Sequence, residues 1–153
     1  MTIDFPNKHF LINGEWVCSD VELDLINPST GDVIGQVSAA GDDHVNDAVR
    51  VARDTLDNTW NNITARERST ILTKLGRLIE ENIDLLARLE ATDVGKPLKQ
   101  ARADVKALAR YMEFYAGAAD KLHGDTIPYL QDYTVYTLRE PHGVCAHIIP
   151  WNY

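Results

Sequence analysis

Asn152 is the side chain whose neighbours best equip it for chemistry. It follows Pro150 and Trp151 at a corner reached through an apolar run, Val144 to Ile149. If that run is a strand of an open α/β sheet, the corner lies just beyond the strand's carboxyl end, where such sheets bind ligands. An Asn amide there can aim an N–H at a developing negative charge, which stabilises a transition state electrostatically. On residue type alone the competing reading is a turn cap, since Asn is a routine turn residue.

The other reactive side chains point to less. Cys18 and Cys145 are far apart in sequence, and in a reducing compartment they are expected to be free thiols and not a disulfide pair. Cys145 falls inside the apolar run, where a free Cys is expected to be a small buried hydrophobe and not a nucleophile. His9, His44, His123, His142 and His147 show no metal-ligand spacing, and in a continuous strand His142 and His147 would face opposite sides. No zinc site and no Ser/His/Asp arrangement is expected. The acidic pairs Asp42-Asp43 and Glu80-Glu81 read as solvated helix ends.

The elements that must position these residues change character along the chain. Phe10-Leu11-Ile12 and Trp16-Val17 flank Asn13-Gly14, the dipeptide that best accepts the positive φ angles of a two-residue hairpin turn. Val21 to Ile26 and Val33 to Val37 flank a second turn at Pro28-Ser29-Thr30-Gly31. Helical periodicity then takes over. Val45, Ala48, Val49, Ala52 and Leu56 share one face behind Asp42 and Asp43 as candidate N-caps. Thr64-Ala65-Arg66-Glu67 is a capping box opening a helix with the stripe Ile71, Leu72, Leu75, Leu78, Ile79. Asn82 breaks that helix, Ile83 to Asp93 forms another, and Gly95 and Pro97 stop it. A further helix is expected over about Leu98 to Leu122, ended by Gly124. Beyond Pro128, Tyr133 to Leu138 reads as strand, and Val144 to Ile149, apolar on both faces, as a strand buried in a parallel sheet.

Composition bounds the partners. The 153 residues are 44% hydrophobic and 25% charged with a formal net charge of −8, figures of a globular chain. Dispersed basic residues and net negative charge argue against nucleic acid or an anionic membrane as partner. No apolar run approaches the ~20 residues of a membrane span. The first residues, Met1 to Pro6, show neither a basic nor an apolar signal region, so cytoplasmic residence is the expectation.

A set of short motifs in fixed order narrows the reading further. Phe10-Leu11-Ile12-Asn13-Gly14-Glu15-Trp16 comes first, then Ile26-Asn27-Pro28-Ser29-Thr30-Gly31 and Gly95-Lys96-Pro97. Phe114 to Lys121, His123-Gly124 and Arg139-Glu140-Pro141-His142-Gly143-Val144 follow, before the Pro-Trp-Asn corner. In this order they resemble the NAD(P)-dependent aldehyde dehydrogenases, over essentially the whole chain but only the first third or so of a family member. Tyr153 adds a likeness to the betaine-aldehyde and aminoaldehyde members.

The resemblance implies a fold class of α/β, as an N-terminal fragment of the aldehyde dehydrogenase fold: β-hairpins, three to four helices, oligomerisation-arm strands and a first Rossmann-like core strand. Residues 1–125 would be the wrapper of the cofactor-binding domain, 126–141 the oligomerisation-arm strands and 142–153 the first strand of the core. It implies oxidation of an aldehyde to a carboxylic acid with NAD or NADP, through a Cys thiohemiacetal and thioester. Asn152 would donate to the oxyanion, while Ile148, Ile149, Pro150 and Trp151 would line the cofactor cleft. Ala103, Ala107 and Tyr153 would line the substrate tunnel. Two alanines leave a roomy entrance, although on helical spacing alone they read equally as a close-packing face. Tyr153 would be an aromatic wall or a cation–π seat for an ammonium. A structural monovalent cation is implied near Ile26 and Asp93, against the alternative of a solvated carboxylate in a helix's last turn.

The family's nucleophilic Cys, general-base Glu and phosphate-binding segment have no counterpart in the 153 residues. The expectation is a small-molecule aldehyde as substrate, a homo-oligomer as the intact enzyme, and a chain that by itself is inactive and binds no cofactor tightly. The alternatives are a non-catalytic subunit-interaction protein, adding a strand to intact subunits, and a non-functional truncated product.

Overall fold

The computed structural model describes residues 9–150. Three short antiparallel hairpins, four α-helices and one 3-10 turn (Trp60–Asn62) are the regular elements of the described residues. Strands β1 (Phe10–Ile12) and β2 (Glu15–Val17) pair across Asn13-Gly14. These two residues take φ of 54° and 79°, the left-handed geometry that this dipeptide accepts most cheaply. Strands β3 (Glu22–Ile26) and β4 (Val33–Ser38) form the second hairpin, with a register shift at Leu25/Ile26. Its connection is tied by Asn27, whose Oδ1 accepts from the Ser29 N–H at 2.9 Å and whose carbonyl accepts from the Gly31 N–H at 2.8 Å.

Helix α1 spans Asp42–Asn58. Its N-cap is Gly41, not Asp42 or Asp43, which occupy the first turn instead. There their charges still face the positive end of the helix dipole. The Gly41 N–H is satisfied by His44 Nδ1 at 3.1 Å, and the His44 ring packs edge-on against Phe10 at 4.8 Å. Helix α2 (Ala65–Glu81) opens on the expected capping box. The Thr64 N–H donates to Glu67 Oε2 at 2.7 Å, and the Glu67 N–H donates to Thr64 Oγ1 at 3.2 Å. Asn82 ends α2 and starts α3 (Ile83–Val94).

Helix α4 runs Leu98–Ala118, one turn shorter than its apolar spacing suggests. The chain there tightens into a turn in which the Lys121 N–H donates to the Ala118 carbonyl at 2.9 Å.

The core is the contact of α2, α3 and α4. Ile79, Ala87, Ala101, Val105 and Ala109 are buried in it, with Ile83, Leu86, Ala91 and Met112 packed around them. Small residues let the helices approach closely. A Cβ on Gly76 would lie 3.3 Å from both the Ala109 carbonyl oxygen and Met112 Cβ, tighter than an ordinary contact.

Two strand expectations are corrected. The Tyr133 to Leu138 strand shrinks to β6 (Val135–Tyr136), paired with β5 (Thr126–Ile127). Val144 to Ile149 forms no strand among the described residues. A strand exists only through a partner's ladder of hydrogen bonds, and no described segment supplies one to this run. The α/β mixture of helices and small strands is present; the first core strand of a parallel sheet is not formed within these residues.

Candidate functional site

The approach to the Pro-Trp-Asn corner is set at Gly143. Its φ of 96° is open to glycine and strained for other residues, and a Cβ there would meet Leu56 Cδ2 of α1 at 3.5 Å. With Val144 and Cys145 it borders an apolar cleft of about 580 Å³, walled by Leu11 and Ile12 of β1, Ala52 and Leu56 of α1, and Trp60.

Cys145 is exposed, its thiol donating to the Gly143 carbonyl at 3.6 Å. The expected burial fails because no sheet covers the run. Ile148 and Ile149 are 97% and 87% exposed, and Pro150 is exposed too. Trp151, Asn152 and Tyr153 lie outside the described residues.

Ala103 and Ala107 sit on α4 away from the helix's packed seam. The seam is Ala101, Val105, Ala109 and Ala116, all buried, whereas Ala103 is exposed and Ala107 half-buried. Of the two readings their spacing allowed, close packing within the described chain belongs to the other face. Tyr111 and Phe114 continue the Ala103–Ala107 stripe at 50% and 67% exposure, so α4 carries a second, uncovered apolar side.

The Ile26 and Asp93 segments are brought together. Gly95 caps α3 with φ of 71°, and a Cβ there would lie 2.9 Å from Pro28 Cγ. This close approach seats the Asn27 loop on the C-terminal end of α3. Asp93 itself is exposed, and among the described residues no three or more His, Cys, Asp or Glu side chains gather as a metal site.

The Gly-Lys-Pro motif holds more than a helix stop. Lys96 Nζ donates to Glu90 Oε1 at 2.6 Å and to Asp104 Oδ2 at 2.9 Å, and its side chain is only 13% exposed. Hydrogen bonds to Glu90 and then Asp104 raise the Lys96 pKa. The Asp104 carboxyl is lowered by Lys96 first and by Gln100, whose amide donates at 2.8 Å. The signs fix when this bridge contributes. Asp104's part is present above the ordinary carboxylate pKa and is lost as pH falls through its depressed value. Lys96's part is present below the ordinary ammonium pKa and is lost as pH rises through its raised value.

This cluster was missed in the sequence because its members stand on two helices and the turn between them. The available signal was a Lys between two helix ends with carboxylates one to two turns away on either side.

Comparison with known proteins covers the same span. The profile of the Aldehyde dehydrogenase family matches residues 16–153. Aldehyde dehydrogenase family 2 member B4, mitochondrial, of Arabidopsis thaliana is 40% identical over 99% of this chain and 29% of its own length. The mitochondrial aldehyde dehydrogenase of Equus caballus is 42% identical over 97% of this chain and 31% of its own. Among solved structures, a provisionally named aldehyde dehydrogenase of Burkholderia cenocepacia superposes with a TM-score of 0.91 at 48% identity, over 95% of this chain and 31% of that one. The NAD+ complex of an aldehyde dehydrogenase from Bacillus cereus gives 0.84 at 37% identity, over 88% and 28%. The chain thus spans about a third or less of the length of the relatives it matches. Among the described residues no helix is long and apolar enough to cross a membrane.

Proposed function

The chain belongs to the aldehyde dehydrogenase family, and on that premise we propose that it is the N-terminal part of an enzyme oxidising aldehydes to carboxylic acids with NAD(P)+. The observation that carries this reading is the superposition on an aldehyde dehydrogenase over 95% of the chain at 48% identity.

The residues described fit one wall of a dinucleotide cleft. Ile148 and Ile149 offer an exposed apolar edge, suited to the flat face of a nucleotide ring, while no phosphate-cradling glycine loop occurs in the sequence. Ile148, Ile149, Pro150 and Trp151 would hold the cofactor by backbone and apolar contact. When bound, NAD(P)+ accepts a hydride.

The chain's own chemical contribution is Asn152. Addition of a Cys thiolate to the aldehyde, and of water to the later thioester, each puts negative charge on the carbonyl oxygen. A fixed amide donor offsets that charge without solvent reorganisation. The Cys and the general-base Glu would come from sequence other than these 153 residues. Ala103 and Ala107 would border the substrate tunnel, with Tyr153 as its aromatic wall or as a seat for an ammonium.

Residues 1–125 act in this reading as wrapper, 126–141 as the arm toward a partner subunit, and 142–153 as entry to the core. The exposure of Tyr129, Leu130, Tyr133, Tyr136 and Leu138, all at 60–70%, supports an arm that is covered on assembly. A monovalent cation beside Ile26 and Asp93 belongs to the same proposal, as does a cytoplasmic location; two relatives are named as mitochondrial.

Residues 1–153 expressed alone should give no aldehyde-dependent reduction of NAD+ or NADP+. In this reading the nucleophilic Cys belongs to sequence outside these residues, and neither Cys18 nor Cys145 takes its role. Reduction that disappears in Cys145→Ser would make Cys145 the nucleophile and refute the assignment of that role to another segment. An inactive segment that nonetheless assembles with intact subunits would favour the subunit-interaction alternative.

A further inference from the structure

Two ion pairs flank Ala103 on α4. Arg102 Nε donates to Asp84 Oδ1 of α3 at 2.9 Å. Asp104 accepts from Lys96 Nζ at 2.9 Å, and Lys96 is also bound to Glu90 of α3 at 2.6 Å. At 3.6 residues per turn, positions 102 and 104 lie on opposite flanks of the seam buried by Ala101 and Val105. The same geometry puts Ala103 and Ala107 diametrically across from that seam; Ala103 is exposed and Ala107 half-buried.

Apart from Met112, α4 packs on α2 and α3 through small side chains, which interlock less than long ones and leave its rotation to be set partly by the charges beside the seam. The two pairs differ in strength. Arg102 and Asp84 are 42% and 72% exposed, and a pair so solvated is weak. Lys96 is 13% exposed, and its partners Glu90 and Asp104 are 34% and 24% exposed. Removing the ammonium would leave two carboxylates confronting each other across the α3–α4 contact, and α4 would relieve that repulsion by rolling. A roll of about 20° carries a Cα on a helix of radius ~2.3 Å through about 0.8 Å, and side chains beyond it further.

We propose that Lys96 is a positioning residue that sets the rotation of α4, and through it the width of the substrate entrance bordered by Ala103 and Ala107. The inference rests on the reading of those two alanines as tunnel residues. Lys96 touches no substrate; it acts through Asp104, the neighbour of Ala103. Its loss therefore alters discrimination among aldehydes by size more than the turnover of the smallest.

The test uses the intact enzyme and a homologous series of linear aldehydes from two carbons upward. Lys96→Met is expected to raise KM for the longest members by about 3- to 10-fold, at or below the smallest change that one methylene of pocket misfit commands. Turnover of the shortest should stay within about twofold. Lys96→Arg, whose forked guanidinium can reach both carboxylates, should restore the profile. Asp104→Asn should shift it in the same direction, with the double variant no worse than Lys96→Met alone, as members of one network behave.

A merely structural role would lower kcat/KM by one factor at every chain length, and that result overturns the inference. Should Lys96→Met not fold, Asp104→Asn, nearly isosteric, carries the same comparison. Ala103→Val and Ala107→Val separate the two readings. If they change the profile and the Lys96 and Asp104 variants do not, the positioning role alone fails. If none of the four changes it, the tunnel assignment fails, and the inference with it.

Discussion

Asn152→Ala in the intact enzyme is expected to slow single-turnover hydride formation by roughly 10²–10³, the usual cost of removing one oxyanion donor. The loss should fall on the chemical step. A donor aimed at charge that develops only on addition stabilises the transition state more than the bound aldehyde. NAD(P)+ dissociation constants should change little, and kcat and kcat/KM should fall together. Asn152→Asp should be at least as damaging, because it replaces the donor with a carboxylate facing the developing negative charge. The opposite pattern, strong loss of cofactor affinity with near-native hydride transfer at saturation, would make Asn152 the turn cap that its residue type alone suggests.

Gly124→Ala should open the base of the β5–β6 hairpin. A Cβ at Gly124 would overlap the Thr137 carbonyl oxygen and crowd Thr137 Oγ1 at 3.1 Å. Two hydrogen bonds hold the backbone there. The Thr137 N–H donates to the Asp125 carbonyl at 2.9 Å, and the Asp125 N–H donates to Thr137 Oγ1 at 2.8 Å. An alanine must break these bonds or shift the strand, with overpacking of this kind costing about 1–3 kcal/mol. If the hairpin is the arm toward a partner subunit, the intact enzyme should lose its assembly in light scattering as well as melt earlier. Native melting and native assembly would refute both the close approach and its consequence.

What the sequence disclosed and what it withheld follow a physical division. Most features fixed by a few consecutive residues were legible, the α1 cap at Gly41 instead of Asp42 or Asp43 being the exception. The Thr64–Glu67 capping box, the Asn13-Gly14 turn and the Asn82 and Gly95 breaks need no distant partner, and each stands where local chemistry puts it. Features that depend on distant contacts were not. The strand expected over Val144 to Ile149 requires neighbours that no described residue provides, and Tyr133 to Leu138 keeps only the two residues that Thr126 and Ile127 can pair.

Side-chain clusters fared likewise. Lys96 meets Glu90 and Asp104 only because α3 and α4 fold back on each other, and Gly124 is required by a carbonyl 13 residues away. For the candidate site, the packed seam of α4 shows which way Ala103 and Ala107 face. Trp151, Asn152 and Tyr153 were read from motif order alone and lie outside the described residues.

The central proposal is that these 153 residues belong to an aldehyde-oxidising enzyme. Its most direct test is to give the intact gene product an aldehyde series with NAD+ and with NADP+, following reduced nicotinamide and carboxylate product together. The account predicts aldehyde-dependent formation of both in equal amounts with at least one of the two dinucleotides. A folded protein that binds a dinucleotide yet forms no carboxylate from any aldehyde in the series would contradict it.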